Sequence, residues 1–192
     1  MKKIIYLLVS AFVFFSFASC NNNDAANEAW KDTNWKEYQK VVANTQEYHD
    51  IRLTFNPTDG TGPLGVYFKE LKKGTGKEHP IQTSFVQILY SGRYPGVDSI
   101  YFNKGSKDNG VPALKMVNNT DPSFSSDYFM TRGLSFAIQN MVIGDRWEIW
   151  VPYYLGFGTV GLTDSYGSTL IIKGYSTLVY DVELVSINNF GK

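Results

Sequence analysis

The sequence is poor in the residues that carry most covalent and metal chemistry. It has one cysteine, Cys20, and two histidines, His49 and His79, in 192 residues. A single cysteine cannot form an internal disulfide, and it leaves no cysteine–histidine pair for thiol catalysis. No zinc-ligand spacing occurs, and no glycine-rich phosphate loop joins a strand to a helix. We therefore expect no metal, no cofactor, and no hydrolase, redox or kinase chemistry.

The sequence also lacks an excess of either charge. Lysine and arginine number 18, aspartate and glutamate number 18, and the formal net charge is zero. Without a basic stripe, we expect no nucleic-acid partner. With 43% hydrophobic and 19% charged residues the chain is typical of a globular protein, and its 16% aromatic content favours strands and ring-lined pockets.

The first residues form a leader. Lys2 and Lys3 precede an apolar run over 4–17, which is shorter than the roughly 20 residues of a membrane span. This pattern predicts a signal peptide over 1–19. The leader resembles a bacterial lipoprotein signal, which implies that Cys20 is lipidated and holds the protein in the cell envelope, on the periplasmic side or at the surface. An ordinary secretory leader with an incidental cysteine is the alternative.

Behind Cys20 the pattern predicts three further parts. Residues 20–26 are polar and would serve as the tether of the lipid anchor. Residues 27–62 would form an N-terminal helix, from Asn27 to about Tyr48, and a linker with turn signals such as Asn56-Pro57. Residues 63–192 would form the main domain.

The main domain reads as several strands and one short helix. Residues 152–176 read as a loop, and residues 91–127 are loop-heavy. Leu134, Ala137, Ile138 and Met141 lie at the spacing of one helix face. We predict an α+β fold, with a curved antiparallel sheet of about four to six strands wrapped on that helix, beside the separate N-terminal helix. The predicted strands are 66–72, 85–90, 113–117, 146–151 and 177–187.

Three stretches resemble one family, the FKBP-type peptidyl-prolyl isomerases. They are VQILYSG at 86–92, the segment from Arg132-Gly133-Leu134 to Met141-Val142-Ile143-Gly144, and VPYYLGFG at 151–158 followed by STLVYDVEL at 176–184. They occur in the family's order and cover roughly residues 64–188. The resemblance implies an FKBP-like fold and a shallow apolar pocket that binds proline-containing peptides or unfolded protein clients.

The chemistry of such a pocket needs no nucleophile. Rotation about a peptide bond has a barrier of about 18–20 kcal/mol, and X-Pro bonds exchange over tens to hundreds of seconds. An apolar pocket that fits the twisted, less polar amide better than the planar one lowers that barrier. The implied activity is prolyl isomerisation that assists the folding of exported or envelope proteins.

The resemblance also implies the pocket residues. Leu134 stands where the family has a tryptophan floor, Phe157 where it has a rim tyrosine, and Asn103 or Asp98 where it has an aspartate. Tyr90, Tyr180 and Leu134 also fit a plain core role. The implied pocket residues are Tyr90, Phe102, Met130, Thr131, Leu134, Phe157, Ile172 and Tyr180.

Two other functions remain open at this point. The substitutions at Leu134 and Phe157 fit a catalytically weak or inactive FKBP-like chaperone or protein-binding module. The long loop over 91–127 fits an envelope scaffold. Some FKBP-type proteins use N-terminal helices to dimerise, so the N-terminal helix predicts either a homodimer contact or a spacer from the bilayer.

Overall fold

The computed structural model describes residues 22–52, 65–96, 101–117, 130–163 and 166–189. The predicted signal peptide over 1–19, Cys20 and Asp98 lie outside the described residues. Within them, no helix is long and apolar enough to cross a bilayer. The helices are α1 (Asn22–Ala43) and α2 (Arg132–Ile138), and the strands are β1 (His49–Arg52), β2 (Gly65–Lys72), β3 (Phe85–Arg93), β4 (Tyr101–Asn103), β5 (Ala113–Met116), β6 (Arg146–Val151), β7 (Gly161–Thr163), β8 (Leu170–Lys173) and β9 (Leu178–Asn188).

Seven of these strands form one antiparallel sheet. Its order is β1-β2-β6-β9-β3-β4, and β5 also pairs with β3. The central strands β6 and β9 alternate apolar and polar residues, so each turns one face towards the core. The described sheet is larger than the predicted four to six strands, because the short edge strands β1 and β4 carry too few residues to show a period.

The inner face of the sheet holds the main core. Trp147 and Ile149 of β6 and Tyr180 and Val182 of β9 lie in it, and α2 covers them. Leu134, Ala137, Ile138 and Met141 are all fully buried, which agrees with the helical spacing of the sequence. The helix itself ends at Ile138, so Met141 reaches the core from the turn that follows.

The outer face of the sheet is covered by α1. Tyr67, Trp150 and Val179 lie on β2, β6 and β9, and they form a second apolar cluster with Tyr38 and Val41 of the helix. The Tyr38 hydroxyl donates a hydrogen bond of 2.8 Å to the carbonyl oxygen of Gly65. The N-terminal helix is therefore packed against the domain, and its description as a separate element was wrong.

Two other boundaries differ from the sequence prediction. Helix α1 ends at Ala43 and not near Tyr48, because the chain turns at Asn44 and enters β1. The segment 152–176 is not only loop, since β7 and β8 pair within it as a hairpin. Three- and four-residue strands rich in exposed side chains leave no periodic signal.

Candidate functional site

The predicted site residues lie around one end of the inner core. All eight are described. Phe102 and Phe157 are half-buried and pack on the main cluster, while Thr131 is a buried polar residue beside it. Five are buried members of that cluster, namely Tyr90, Met130, Leu134, Ile172 and Tyr180. The eight residues come from four strands, α2 with the two residues before it, and the segment preceding β7. Their role in binding stays a prediction.

Phe102 owes its position to a glycine on the neighbouring strand. Strand β3 pairs with β4 through Gly92 opposite Asn103, and the register shifts between Gly92 and Arg93. A Cβ atom on Gly92 would stand 2.3 Å from Cζ of Phe102. The missing side chain therefore makes the space that the Phe102 ring fills, and Gly92 in the Tyr-Ser-Gly stretch has a packing role that the sequence alone did not show.

Two residues of the loop after β4 fix the position of Tyr90. The Ser106 hydroxyl accepts a hydrogen bond of 3.0 Å from the Tyr90 backbone N–H and donates one of 2.9 Å to the carbonyl oxygen of Ile88. Gly105 has φ of +59°, and a Cβ atom there would stand 2.4 Å from the Tyr90 ring. Backbone and side chain of Tyr90 are thus both fixed by residues 105 and 106.

The Tyr90 hydroxyl has a defined polar neighbour. Burial raises the pKa of Tyr90, and a hydrogen bond from the Asn103 side chain acts in the opposite direction. Asn103 Oδ1 also accepts a hydrogen bond of 2.7 Å from the Gly105 N–H. Asn103 therefore places a neutral hydrogen-bonding group beside Tyr90.

A lysine that the sequence reasoning did not single out lies beside Tyr90. Lys115 on β5 pairs with Val86 on β3, and paired residues share a face of the sheet. Its Nζ atom lies 5.0 Å from the centroid of the Tyr90 ring, a cation–π distance. Burial lowers the pKa of Lys115 to about 8. The wall next to Tyr90 thus carries a half-buried amine.

The start of α2 forms another side of the site. Thr131 is the N-cap of the helix, and its Oγ1 accepts a hydrogen bond of 3.2 Å from the Leu134 N–H. Tyr180 is completely enclosed, and burial raises its pKa while its interaction with the Thr131 side chain lowers it. Leu134 is fully buried, so it fills its site as a core residue does.

The segment from Pro152 to Gly158 places Phe157 at the edge. A 3₁₀ turn, Tyr153–Leu155, follows Pro152, and the Gly158 N–H donates a hydrogen bond of 2.8 Å to the carbonyl oxygen of Tyr153. Gly158 has φ of +67°, a conformation that other residues rarely adopt. The glycine thus allows a tight turn that keeps Phe157 half-buried against the core.

An ionic cluster fixes the sheet behind the site. The Asp181 carboxylate accepts two hydrogen bonds from Arg146, of 3.0 and 2.7 Å, and pairs with Lys107 of the loop after β4. Burial acts to raise the pKa of Asp181, but the hydrogen bonds from Arg146 and Lys107 outweigh it and the pKa is lowered. The cluster ties the loop that supports Tyr90 to strands β6 and β9.

Neither of two surface cavities coincides with this site. One, of about 230 Å³, is lined by Lys31, Asp32, Trp35 and Tyr153. The other, of about 220 Å³, lies at the β7–β8 hairpin and includes Val160 among its lining residues. In the described part of the chain, no group of three or more His, Cys, Asp or Glu side chains is placed to hold a metal ion.

The comparisons with known proteins agree with this arrangement. Residues 76–185 match the profile of the FKBP-type peptidyl-prolyl cis-trans isomerase family. The chain belongs to that family. The matched segment includes all eight candidate residues and the Asp181 cluster, so the resemblance noted in the sequence is confirmed.

Two curated relatives are about 30% identical to the chain over the aligned residues. The macrophage infectivity potentiator of Trypanosoma cruzi is 32% identical over 130 residues, which are 68% of this chain and 57% of the relative. The FKBP-type 22 kDa peptidyl-prolyl cis-trans isomerase of Escherichia coli is 30% identical over 152 residues, which are 79% of this chain and 64% of the relative. The chain thus spans less than two thirds of the length of either.

Solved structures show the same fold. A peptidyl-prolyl cis-trans isomerase of Pseudomonas syringae superposes with a TM-score of 0.59 at 22% identity, over 85% of this chain and 96% of that one. FkpA of Escherichia coli superposes with a TM-score of 0.59 at 23% identity, over 86% of this chain and 64% of that one. The FKBP-like α+β fold with an N-terminal helix is therefore confirmed.

Proposed function

We propose that the protein is a peptidyl-prolyl cis-trans isomerase that acts on X-Pro bonds of peptides and unfolded protein clients. The observation that carries the proposal is the contact of Phe102 with Tyr180, which itself interacts with Thr131 at the start of α2, inside the segment that matches the isomerase family. Aromatic and aliphatic side chains make up seven of the eight candidate residues. Such a surface suits a reaction that needs water excluded and no covalent step.

The proposed catalysis rests on the polarity of the amide. Twisting the X-Pro bond breaks its resonance, so the transition state is less polar than the planar amide. A prolyl ring placed against the half-buried rings of Phe102 and Phe157 would lose water from its amide and keep its favourable apolar contacts during the twist. Because the twisted form loses less solvation on entering such a site, it is bound more tightly than the ground state.

Departures from the family pattern define a second candidate function. Leu134 offers a smaller floor than tryptophan, and Phe157 lacks the hydroxyl that would donate to a substrate carbonyl, a contact worth about 0.5–1.5 kcal/mol. A site with these changes would still bind prolyl peptides. The alternative is a catalytically weak or inactive chaperone or protein-binding module with the same fold.

One assay separates the two functions. The full chain, purified in detergent, is added in catalytic amounts to a series of X-Pro peptides whose trans form alone is cleaved by a protease. An isomerase accelerates the slow cleavage phase, in proportion to its concentration. Peptide binding without acceleration across the series would favour the binding module and would refute the proposed activity.

We also propose that the protein is anchored in the bacterial cell envelope through lipidated Cys20, behind a signal peptide over 1–19. The tether predicted over 20–26 is shorter than expected, because α1 already begins at Asn22. One relative, from Legionella longbeachae, is called outer membrane protein MIP. Cys20→Ala should release the protein from the membrane fraction, while Asn21→Ala should not. Retention of the Cys20→Ala chain in membranes would refute the anchor.

A homodimer through α1 remains a proposal with a structural constraint. The face of α1 that carries Tyr38 and Val41 packs on the chain's own sheet. A dimer through this helix would therefore use its remaining, mostly charged faces, or would require the helix to leave the sheet. Sedimentation of the full chain over a range of concentrations decides whether a dimer forms.

A further inference from the structure

Besides covering the outer face of the sheet, helix α1 contacts residues next to the candidate site. The ring of Trp30 in α1 meets the ring of Tyr94 edge to face, with ring centroids 5.1 Å apart and an interplanar angle of 82°. Tyr94 directly follows β3, the strand that carries Tyr90. Neither Trp30 nor Tyr94 is among the residues implied by the family resemblance.

Tyr94 in turn leads to the candidate site. Its ring centroid lies 5.5 Å from that of Phe102, and Phe102 meets Tyr180 at 5.6 Å. Four rings thus form a continuous row from α1 to the enclosed Tyr180. Because Trp30, Tyr94 and Phe102 are each half-buried, the position of one ring limits the positions of the next.

The same helix also fixes the turn between β8 and β9. Asn34 is buried, its Oδ1 accepts a hydrogen bond of 2.9 Å from the Thr177 N–H, and its carbonyl oxygen accepts one of 3.2 Å from the Thr177 hydroxyl. Trp30 Nε1 donates a hydrogen bond of 3.3 Å to Ser176 Oγ. This turn joins the strands that carry Ile172 and Tyr180.

The last residue of β8, Lys173, also contacts Trp30. Lys173 Nζ lies 5.4 Å from the centroid of the Trp30 ring. Burial raises the pKa of Tyr94, and a hydrogen bond with the Lys173 backbone acts in the opposite direction. Trp30 therefore contacts two segments that adjoin candidate residues, through Tyr94 after β3 and through Lys173 and Ser176 at the end of β8 and in the turn that follows.

We propose that Trp30 is a positioning residue of the isomerase site, which holds Phe102 through Tyr94 and the β8–β9 turn through Ser176. The inference rests on the proposed function. In this arrangement α1 is part of the machinery that shapes the site, and not a spacer. Trp30 acts through its neighbours and does not touch the prolyl ring.

The test compares two tryptophans of one helix. Trp35 packs on Tyr38 over the outer face, with ring centroids 5.4 Å apart, and belongs to the second apolar cluster. Trp30→Ala, Trp30→Phe and Trp35→Ala are introduced into the full chain. Thermal unfolding, kcat and KM for an X-Pro peptide are measured for each, together with the affinity for the same peptide.

We expect Trp30→Ala to lower kcat/KM by about three- to tenfold, the factor that corresponds to loss of an edge-to-face ring contact. Trp30→Phe should retain most of the activity, because a ring remains against Tyr94. Trp35→Ala should lower the unfolding temperature and leave kcat/KM within about twofold of the unchanged chain. Should Trp30→Ala not fold, Trp30→Leu, which keeps apolar volume without a ring, takes its place.

Two results would overturn the inference. One is an active chain in which Trp30→Ala leaves kcat/KM unchanged, and the other is an equal loss of activity in the Trp30 and Trp35 variants. An inactive unchanged chain would refute the proposed function instead. In that case peptide affinity decides the inference, which requires weaker binding in Trp30→Ala than in Trp35→Ala.

Discussion

The ring of Phe102 meets the ring of Tyr180 edge to face, with centroids 5.6 Å apart and planes at 87°. The two residues come from β4 and β9, which are not neighbours in the sheet, since β3 lies between them. Gly92 on β3 lets the contact form, because it has no side chain where the Phe102 ring lies. The contact therefore depends on three strands, of which β9 is distant in sequence from β3 and β4.

Removal of this ring should affect activity more than stability. Phe102→Ala is expected to lower kcat/KM by about tenfold, because a half-buried wall of the proposed site contributes on the order of 1–2 kcal/mol to binding the prolyl ring. Tyr101→Ala is the matched control, since Tyr101 is the neighbouring residue and is 43% exposed. Equal activity in the two variants would contradict the assignment of Phe102.

Restoring the hydroxyl at the rim should raise activity. Phe157→Tyr is expected to increase kcat/KM by about two- to tenfold, the gain that one added hydrogen bond to a substrate carbonyl allows. The peptide assay measures it, with KM and kcat determined separately. An unchanged or lower kcat/KM in a folded variant would show that residue 157 does not face the substrate carbonyl.

Substitutions at two glycines with positive φ distinguish the stability cost of backbone strain from the cost of displacing the Tyr90 ring. Gly105 and Gly110 have φ of +59° and +68°, but only at Gly105 does a Cβ atom meet the Tyr90 ring, at 2.4 Å. Gly110→Ala should lower the free energy of unfolding by about 1–2 kcal/mol, the cost of the left-handed conformation. Gly105→Ala should cost more by roughly 1–3 kcal/mol and should also lower activity.

Chemical denaturation and the peptide assay check this pair. Both substitutions add a side chain at a positive φ, but only Gly105→Ala also displaces the Tyr90 ring, so the difference between them measures that displacement. Equal losses of stability, with activity unchanged in both, would show that the Gly105 loop does not hold Tyr90.

Loss of the hydrogen bond between Asn34 of α1 and the β8–β9 turn should lower the free energy of unfolding. Asn34→Ala leaves the Thr177 N–H without its side-chain acceptor in a buried setting, at a cost of about 1–3 kcal/mol. Thr33→Ala, on the exposed side of the same helix, removes only a local hydrogen bond to the Ala29 carbonyl and should stay within about 0.5 kcal/mol. If denaturation gives the same value for both variants, α1 is not fixed to the domain through Asn34.

The Asp181 cluster makes stability depend on pH at the acid end. The pKa of Asp181 in the folded chain lies below its usual value of 3.8, so its contribution is fully present above that value and is lost as pH falls through the folded pKa. Asp181→Asn should therefore destabilise the chain at neutral pH, by about 1 kcal/mol for a partly exposed cluster, and the difference should vanish in strong acid.

Glu183→Gln provides the comparison for this cluster. Glu183 pairs with Lys72, whose side chain is 58% exposed, so its loss should change stability by a few tenths of a kcal/mol. Stability measured against pH distinguishes the cases. A constant difference between Asp181→Asn and the unchanged chain down to strong acid would show that the carboxylate is not the source of the stabilisation.

Alternation along long strands made much of the fold predictable. In β9, Leu178, Tyr180 and Val182 face the core as their spacing predicts. The alternation also places apolar residues on the outer face of the sheet, and the prediction did not use them. Tyr67, Trp150 and Val179 are apolar residues on the outer face of three adjacent strands, and they required a covering element, which is α1. The N-terminal helix was nonetheless predicted as a separate element.

Candidate site residues could be named from the sequence where the family motif is local, and not where contacts span the chain. Motif positions such as Tyr90, Leu134 and Phe157 can be read from short stretches. Gly92 and Lys115 act through cross-strand registers that sequence spacing does not fix. The row from Trp30 to Tyr94 depends on how α1 packs, because a contact between residues so far apart needs the whole sheet to form first.

Exchange spectroscopy by NMR tests the central claim most directly. A short X-Pro peptide is mixed with a small fraction of the full chain, and exchange between its cis and trans resonances is measured at mixing times below those of the uncatalysed rotation, which takes tens of seconds or more. The account predicts exchange cross-peaks that grow with protein concentration and weaken in Phe102→Ala. Peptide resonances that shift on binding, with no cross-peaks at any protein concentration, would contradict it.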